Sequence, residues 1–279
     1  MSDYFLRAKL FKTKKRLGQN FLVDESVIER IVREVNAEDT VLEIGPGAGF
    51  VTENVVKKAK EVFAVEIDED AIDALQHIKT EKFHLIHNDI LKVQLKDLKD
   101  TTFKVVANIP YYITSPILAH LLGEIDDLNN DNRNRISEII LMVQWEVAQR
   151  LIANEKSPSK QYGLLSILAQ FNANVELIQK VGRKSFYPAP KVDSALVKIT
   201  LNKEPRVNVS DYTFLKKVIK ACFATRRKNL KNSLLNGGFN KEAVAKTIES
   251  LGLDETTRGE TLSIEQFAEL AEELKKHNG

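Results

Sequence analysis

Residues 40–49 read Thr-Val-Leu-Glu-Ile-Gly-Pro-Gly-Ala-Gly, a short apolar run that leads directly into a glycine-rich loop. The apolar half is typical of a buried β-strand, and the segment that begins near Phe50 has the pattern of a helix. Glycines between a strand and a helix permit positive φ and let a ligand approach the backbone, beside the free N–H groups of the helix. The stretch therefore predicts a strand–loop–helix unit with a ligand site at the loop.

Apolar runs and helical patterns alternate on both sides of this unit. Further strands are predicted at 62–66, 83–86, 103–107, 139–143, 175–181 and 195–201, and helices at 26–35 and 162–171. The run 139–143 is continuous enough to be buried on both faces, and the alternation of strands and helices predicts an α/β fold with a mostly parallel sheet between helices. The asparagine-rich stretch 126–135 is predicted to be a mobile surface loop.

The pattern changes near Pro205, after which only helices are expected. We therefore predict two domains, an α/β domain with a basic N-terminal arm over residues 1–204 and a helical domain over residues 205–279. A chain of 279 residues is long enough for one full core and a smaller second one.

Composition excludes several classes of protein. The single cysteine, Cys222, rules out an internal disulfide framework and a four-cysteine metal site, and we predict no metal site. No apolar stretch approaches 18 residues, so a membrane span is not expected. The hydrophobic content of 43% and charged content of 29% are ordinary for a soluble protein. A monomer in the cytoplasm is the expectation.

Basic residues are concentrated in two segments although the net charge is only +2. Such segregation indicates a surface that faces a polyanion, because lysine and arginine displace counterions from phosphates. A solvated helix face is the alternative for each segment. The predicted RNA-binding residues are Lys14, Lys15 and Arg16 in the first segment and Arg226, Arg227, Lys228 and Lys231 in the second.

The glycine spacing indicates which cofactor the loop binds. The loop is G-x-G-x-G, with Phe50 where a dinucleotide-binding loop has its third glycine, which disfavours a dehydrogenase. A cofactor without phosphate, such as S-adenosyl-L-methionine, suits this loop. Glu66 ends the second strand and could accept hydrogen bonds from both ribose hydroxyls, and Asp89 ends the third and could accept from the adenine amine. The predicted cofactor residues of these loops are Gly45, Gly47, Glu66, Ile67, Asp89 and Ile90; ordinary loop acids are the alternative for the two carboxylates.

Asn108-Ile109-Pro110-Tyr111 follows the apolar run 103–107 and is the candidate catalytic segment. The Asn108 side-chain oxygen and the Ile109 carbonyl could accept the two N–H bonds of an exocyclic base amine, and Tyr111 offers a face for stacking. Pro110 fixes the turn. Because a sulfonium is a good leaving group, positioning of the amine matters more than a strong general base. The alternative is a plain strand end followed by a turn.

These motifs resemble those of the small-subunit ribosomal RNA adenine N6-dimethyltransferase family (KsgA), and the resemblance covers nearly the whole chain. It rests on the glycine loop, the Asn108–Tyr111 segment and further motifs at residues 18–22, 162–166, 186–194, 223–228 and 258–260.

The resemblance implies a class I S-adenosylmethionine-dependent methyltransferase domain, a Rossmann-like seven-stranded sheet with the last strand antiparallel, and a small helical domain. It implies transfer of four methyl groups to two adjacent adenosines in a hairpin near the 3′ end of 16S rRNA, late in assembly of the pre-30S particle. Asn20, Leu22 and Asn108 would join the cofactor site, and Phe186 would stack on the target adenine opposite Tyr111.

Two other functions are weighed against this one. A 23S rRNA adenine N6-methyltransferase of the macrolide-resistance type shares the cofactor loop and the Asn-Ile-Pro-Tyr type of motif, but the match in the helical region, especially at 226–228, favours the small-subunit enzyme. A non-catalytic ribosome assembly factor on the same fold is disfavoured by the intact Glu66, Asp89 and Asn108.

Overall fold

The structure is a computed structural model that describes residues 3–11, 13–14, 17–110, 113–158, 160–225, 228–254 and 256–277. Its strands are β1 (Phe21–Leu22), β2 (Thr40–Ile44), β3 (Glu61–Glu66), β4 (Phe83–His87), β5 (Phe103–Asn108), β6 (Ile136–Gln144), β7 (Ala173–Val181), β8 (Phe186–Tyr187) and β9 (Ser194–Leu201). Its α-helices are α1 (Asp3–Leu10), α2 (Glu25–Arg33), α3 (Thr52–Lys58), α4 (Glu69–Leu75), α5 (Leu95–Leu98), α6 (Thr114–Leu122), α7 (Trp145–Ile152), α8 (Leu164–Phe171), α9 (Tyr212–Ala224), α10 (Leu230–Asn236), α11 (Lys241–Ser250) and α12 (Ile264–His277).

The central sheet has seven strands in the order β4-β3-β2-β5-β6-β9-β7. The pairs from β4 through β6 are parallel, whereas β9 runs antiparallel to β6. The chain leaves β2 toward β3 on one side and returns to β5 on the other, so the strand order reverses at β2. Ligands of open α/β sheets bind at the carboxyl ends of strands beside such a reversal. The predicted α/β fold with a mostly parallel sheet is confirmed.

The described chain divides into two compact units. One contains Met1–Leu122, Asn129–Ala148 and Val175–Leu201, and the other Gly123–Leu128, Gln149–Asn174 and Asn202–Gly279. The predicted division at residues 204 and 205 lies close to the last crossing, between Leu201 and Asn202. Two earlier segments, 123–128 and 149–174, differ from that prediction, because they belong to the second unit. Ile125 of the first segment and Ile167 and Phe171 of the second are buried in the core that α9 to α12 form.

The asparagine-rich stretch 126–135, predicted to be a mobile surface loop, is anchored to the first unit at Asn132. Asn132 is buried, its side-chain oxygen accepts the Leu95 N–H at 2.9 Å, and its amide donates to the His120 carbonyl at 3.2 Å. A short 3-10 turn at Arg133–Arg135 then leads into β6. The Asn132 amide therefore ties this stretch to the start of α5 and the last turn of α6, and the mobility of the remaining loop stays a prediction.

A buried lysine closes the amino end of the sheet. Lys104 of β5 is 5% exposed, and its Nζ lies 2.7 Å from Asp39 Oδ2 and 3.1 Å from Glu138 Oε2 and donates to the Glu34 carbonyl at 2.6 Å. A buried charge is tolerated only when it is paired and hydrogen-bonded. The Lys104 cluster therefore contributes to stability at the end of the sheet opposite the ligand edge.

Lys104→Ala is expected to lower the free energy of unfolding by about 1–3 kcal/mol, because the Glu34 carbonyl loses its side-chain donor and Asp39 and Glu138 lose a buried cation. Asp39 keeps the Asn36 N–H and Glu138 keeps Lys198. The matched control is Lys99→Ala, which breaks an exposed pair with Glu61 and should cost under about 1 kcal/mol. Urea unfolding of both variants measures the difference. Equal losses in the two variants would mean that burial of Lys104 adds nothing.

Candidate active site

A cavity lies at the carboxyl ends of β2, β3 and β5, where the strand order reverses. It is lined by residues at the ends of these strands and in the loops that follow them, which are 43–48 for β2, 65–67 for β3, 88–90 for β4 and 106–110 for β5. Residues 17–22 of the N-terminal segment also line it. Every predicted cofactor residue is in this lining: Asn20, Leu22, Gly45, Gly47, Glu66, Ile67, Asp89, Ile90 and Asn108. The structure therefore brings together residues that are up to 88 positions apart (108 − 20) in the sequence.

The glycine loop leaves β2 with backbone angles that other residues rarely adopt. Gly45 and Gly47 have φ of 67° and 56°, and the Gly45 N–H donates to the Val65 carbonyl at 2.9 Å. A Cβ on Gly47 would lie 2.9 Å from the Phe21 ring, closer than packing allows. The loop thus needs glycine both for its conformation and for the approach of residues 17–22.

Glu66 is the best-anchored polar group of the cavity. It is 6% exposed, and its carboxylate accepts three backbone N–H groups, from Gly47 at 3.0 Å, Ile67 at 2.8 Å and Asp68 at 2.9 Å. Burial raises the pKa of Glu66 above its usual value, and the three N–H donors oppose that rise. A carboxylate offers about four acceptor positions, so acceptor capacity remains for a ligand.

The loops after β3 and β4 supply a rim to the cavity. Ile67 is 54% exposed although it is apolar, and Ile90, which also lines the cavity, is buried. Asp89 is half-buried, and its Oδ1 caps the 3-10 turn that follows by accepting the Leu91 N–H at 3.0 Å. An exposed apolar side chain beside a fixed carboxylate is suited to a planar ring with an amine at its edge.

Asn108 ends β5 and faces the glycine loop across the cavity. A Cβ on Gly45 would lie 3.9 Å from the Asn108 carbonyl oxygen, so the two loops approach closely. Within the described residues the Asn108 side chain has no hydrogen-bond partner. The Ile113 N–H donates to the Pro110 carbonyl at 3.2 Å, which engages that oxygen in the turn. Tyr111, the predicted stacking residue, lies outside the described residues.

The N-terminal segment is held against the cavity by Asp68. Gln19 Nε2 donates to Asp68 Oδ2 at 2.5 Å, and Lys14 Nζ pairs with the other oxygen of Asp68 and with Asp70 at 2.7 Å. The Asn20 amide donates to the Gly18 carbonyl at 2.9 Å. Lys14, predicted to bind RNA, thus pairs with two acids of its own chain, while Lys15 and Arg16 lie outside the described residues.

The structure departs from the prediction at Phe186. Phe186 is 2% exposed, because its side chain packs in the hydrophobic core of the first unit, and its strand β8 pairs with β1. It does not line the cavity, so stacking on a base would need its side chain to leave that core. The neighbouring Tyr187 packs edge-on against Phe5, with ring centroids 5.3 Å apart.

The second basic segment is described in part. Lys228 is exposed, and Lys231 is half-buried on α10; neither side chain has an acidic partner within the described residues. Arg226 and Arg227 lie outside them. No helix of the described chain is long and apolar enough to cross a membrane, and no described group of His, Cys, Asp and Glu side chains could hold a metal ion.

Glu43 lines the cavity but is not among the site residues predicted from the sequence. It is buried, and its Oε2 has no hydrogen-bond partner within the described residues. Burial raises the pKa of Glu43 to about 8, and the nearby Glu66 charge adds to the rise. The feature of the sequence that could have indicated it is an acidic residue inside the otherwise mostly apolar strand β2. An unpaired buried oxygen in the lining fits a site built for a polar ligand.

Glu43→Gln is expected to stabilise the protein more at pH 8 than at pH 5. The unfolded carboxyl ionises near 4.5, whereas the folded one stays protonated up to about 8, so wild-type stability falls as pH rises through that window. Relative to wild type, the variant should gain about 1–4 kcal/mol between pH 5 and pH 8. Urea unfolding at both pH values measures this, and an equal difference at both would contradict the raised pKa.

Comparison with known proteins gives a consistent match. The family model for ribosomal RNA adenine dimethylase matches residues 10–276. The ribosomal RNA small subunit methyltransferase A of Clostridium botulinum (strain Kyoto / Type A2) is 43% identical over 268 residues, covering 94% of each chain. The protein of that name from Bacillus licheniformis is 41% identical over 280 residues, covering 95% of this chain and 92% of the relative.

Solved structures share the fold. A dimethyladenosine transferase from Plasmodium falciparum has a TM-score of 0.73 at 25% identity, covering 92% of this chain and 98% of the other. The 23S rRNA methyltransferase ErmE has a TM-score of 0.67 at 26% identity, covering 92% and 100%. The fold is therefore the Rossmann-like class I methyltransferase fold. With a family model that spans nearly the whole described chain and relatives this similar, the chain belongs to the ribosomal RNA adenine dimethylase family.

Proposed function

We propose that the protein uses S-adenosyl-L-methionine to dimethylate N6 of two adjacent adenosines in a hairpin near the 3′ end of 16S rRNA. The substrate is the pre-30S particle, late in small-subunit biogenesis in the cytoplasm, and the enzyme acts as a monomer. One observation carries the proposal: the Asn108 side chain, without a partner in the described chain, lines the same cavity as the glycine loop and the anchored carboxylate of Glu66.

The cavity fits a nucleoside cofactor that has no phosphate. When bound, S-adenosyl-L-methionine supplies an electrophilic methyl group on a sulfonium centre. Glu66 would accept from the ribose hydroxyls with the acceptor capacity that its three N–H donors leave open. Ile67 and Ile90 would hold the adenine ring, Asp89 would accept from its amine, and Asn20 and Leu22 would cover the cofactor from the N-terminal segment.

The residues after β5 would position the adenosine. The Asn108 side-chain oxygen and the Ile109 carbonyl would accept the two N6–H bonds and hold the nitrogen lone pair in line with the methyl group. The Pro110 carbonyl is engaged by Ile113 and so does not compete. We propose stacking of the base on Tyr111, and on Phe186 after its side chain leaves the core.

The small-subunit target is favoured over the large-subunit one by degree of similarity. The curated relatives named ribosomal RNA small subunit methyltransferase A reach 43% identity, against 26% for the 23S rRNA methyltransferase ErmE. In the helical unit, Lys228 and Lys231 together with Arg226 and Arg227 would bind rRNA phosphates.

Labelled methyl transfer to isolated particles tests the target. We expect transfer to 30S subunits from cells that lack the modification, and little transfer to 50S subunits or free 16S rRNA. Preferential labelling of 50S subunits would favour the 23S enzyme. No labelling of any particle, with particle binding intact, would indicate a non-catalytic assembly factor.

A further inference from the structure

A second cavity lies beyond the end of β6, at the same carboxyl edge of the sheet as Asn108. Residues 144–146 form one wall, and Arg183, Lys191, Val192 and Asp193 form the other. Asn108 of β5 pairs in register with Met142 of β6, and Gln144 follows two residues later, about 7 Å along the strand. The cavity is therefore within reach of an RNA strand that crosses the Asn108 site.

Asp193 joins the two walls. Its backbone carbonyl accepts the Trp145 N–H at 3.0 Å, and its Oδ1 accepts the Arg183 N–H at 3.1 Å. Its Oδ2 lies 3.3 Å from Lys180 Nζ, and that ammonium lies 5.0 Å from the centre of the Trp145 ring. Asp193 therefore ties the wall of Arg183, Lys191 and Val192 to the wall of residues 144–146.

The lining combines two cations, Arg183 and Lys191, with the Trp145 ring and two acids, Glu146 and Asp193, of which Asp193 is paired with Lys180. Arg183 and Lys191 are exposed, and neither forms an ion pair within the part of the chain that the structure describes. Trp145 is half-buried, and Val192 is exposed although it is apolar. A nucleotide has an anionic phosphate and a planar base, which match the cations and the indole ring respectively. An acidic peptide would match the cations alone.

We propose that this second cavity binds a nucleotide that flanks the target adenosine, with its phosphate on Arg183 and Lys191 and its base against Trp145. This proposal rests on the proposed function, which provides the RNA. Binding there fixes the direction of the strand across the sheet edge and so positions the adenosine at Asn108.

Trp145 is the single tryptophan of the chain, so its fluorescence reports on this cavity alone. Titration of the full-length protein, without methyl donor, with an RNA hairpin that carries two adjacent loop adenosines should quench this fluorescence. The double variant Arg183→Glu/Lys191→Glu should shift the midpoint to at least about 10-fold higher RNA concentration at 0.1 M salt, and should reduce the salt slope by about 2.

The matched control is Lys57→Glu/Lys60→Glu, which makes the same charge change at exposed lysines near the amino end of β3. We expect its midpoint to stay within about 3-fold of wild type. A parallel titration that follows the anisotropy of labelled RNA measures total binding. Hairpin binding by anisotropy with unchanged Trp145 fluorescence would overturn the proposal, as would equal shifts in the two double variants.

Poly-L-glutamate provides the test against a protein ligand. Equal quenching by poly-L-glutamate and by the hairpin at matched charge would assign the cavity to an acidic protein segment and overturn the proposal. Failure of the proposed function is separate, because the titration involves no methyl transfer. Quenching by RNA without methylation of 30S subunits would contradict the proposed function but support the second cavity as a nucleotide site. Methylation of 30S subunits without quenching would support the proposed function and contradict the nucleotide site.

Discussion

Asn108→Ala is expected to reduce methyl transfer to 30S subunits by at least about 100-fold, because the amine loses an acceptor that holds it in line with the methyl group. Asn108 ends β5 and lines the cavity beside the glycine loop, and its side chain is not engaged elsewhere in the described chain. Loss of the amide therefore leaves no described donor or acceptor unpaired. Particle binding should stay within about 3-fold of wild type. Single-turnover transfer and sedimentation of the complex measure the two effects.

The Asn108→Asp variant tests whether the reaction needs the hydrogen-bond acceptor at this position or the amide group as a whole. Aspartate keeps an acceptor oxygen at the same distance from the backbone, so its transfer rate should lie between those of Asn108→Ala and wild type. Calorimetric titration with S-adenosyl-L-methionine shows whether Asn108 also serves the cofactor. Wild-type turnover in the alanine variant would remove Asn108 from the reaction.

Glu66→Gln is expected to weaken S-adenosyl-L-methionine binding by about 10- to 150-fold, which corresponds to loss of one charged hydrogen bond of about 1.5–3 kcal/mol. The carboxylate of Glu66 accepts N–H groups from Gly47, Ile67 and Asp68 and would also accept from the ribose. An amide offers one acceptor oxygen in place of two, and its NH2 group faces donors.

The control for Glu66 is Glu61→Gln at the amino end of the same strand. Glu61 pairs with His84 and Lys99 away from the cavity, so its loss should change stability slightly and cofactor affinity by less than about 2-fold. Isothermal titration measures both variants. Equal affinity of Glu66→Gln and wild type would show that this carboxylate only shapes the loop.

The cofactor-site residues at the strand ends could be predicted from the sequence, because each is marked by a local pattern. The glycine loop after β2, the acids at the ends of β3 and β4 and Asn108 at the end of β5 each follow an apolar run, and parallel strands align their carboxyl ends. Placement of Asn20 and Leu22 needed the family resemblance, since nothing in a basic arm indicates where it folds back.

Long-range pairings explain what the sequence did not indicate. In the sequence Lys14 has no acid nearby that would mark it as paired. In the structure it pairs with Asp68 and Asp70, which lie 54 and 56 positions (68 − 14 and 70 − 14) later in the chain. Phe186 reads as a loop aromatic until β8 pairs with β1. Residues 149–174 belong to the helical unit because α8 buries its apolar face there. The periodicity of a helix shows that it has an apolar face, but not which of two cores that face packs against.

Analysis of the methylated RNA is the most direct test of the central claim. Unmethylated 30S subunits are incubated with the protein and S-adenosyl-L-methionine, and nuclease fragments of their 16S rRNA are analysed by mass spectrometry. We predict two adjacent N6,N6-dimethyladenosines in one fragment near the 3′ end. Methyl groups elsewhere in the rRNA, or a product that stays monomethylated at saturating cofactor, would contradict the proposed function.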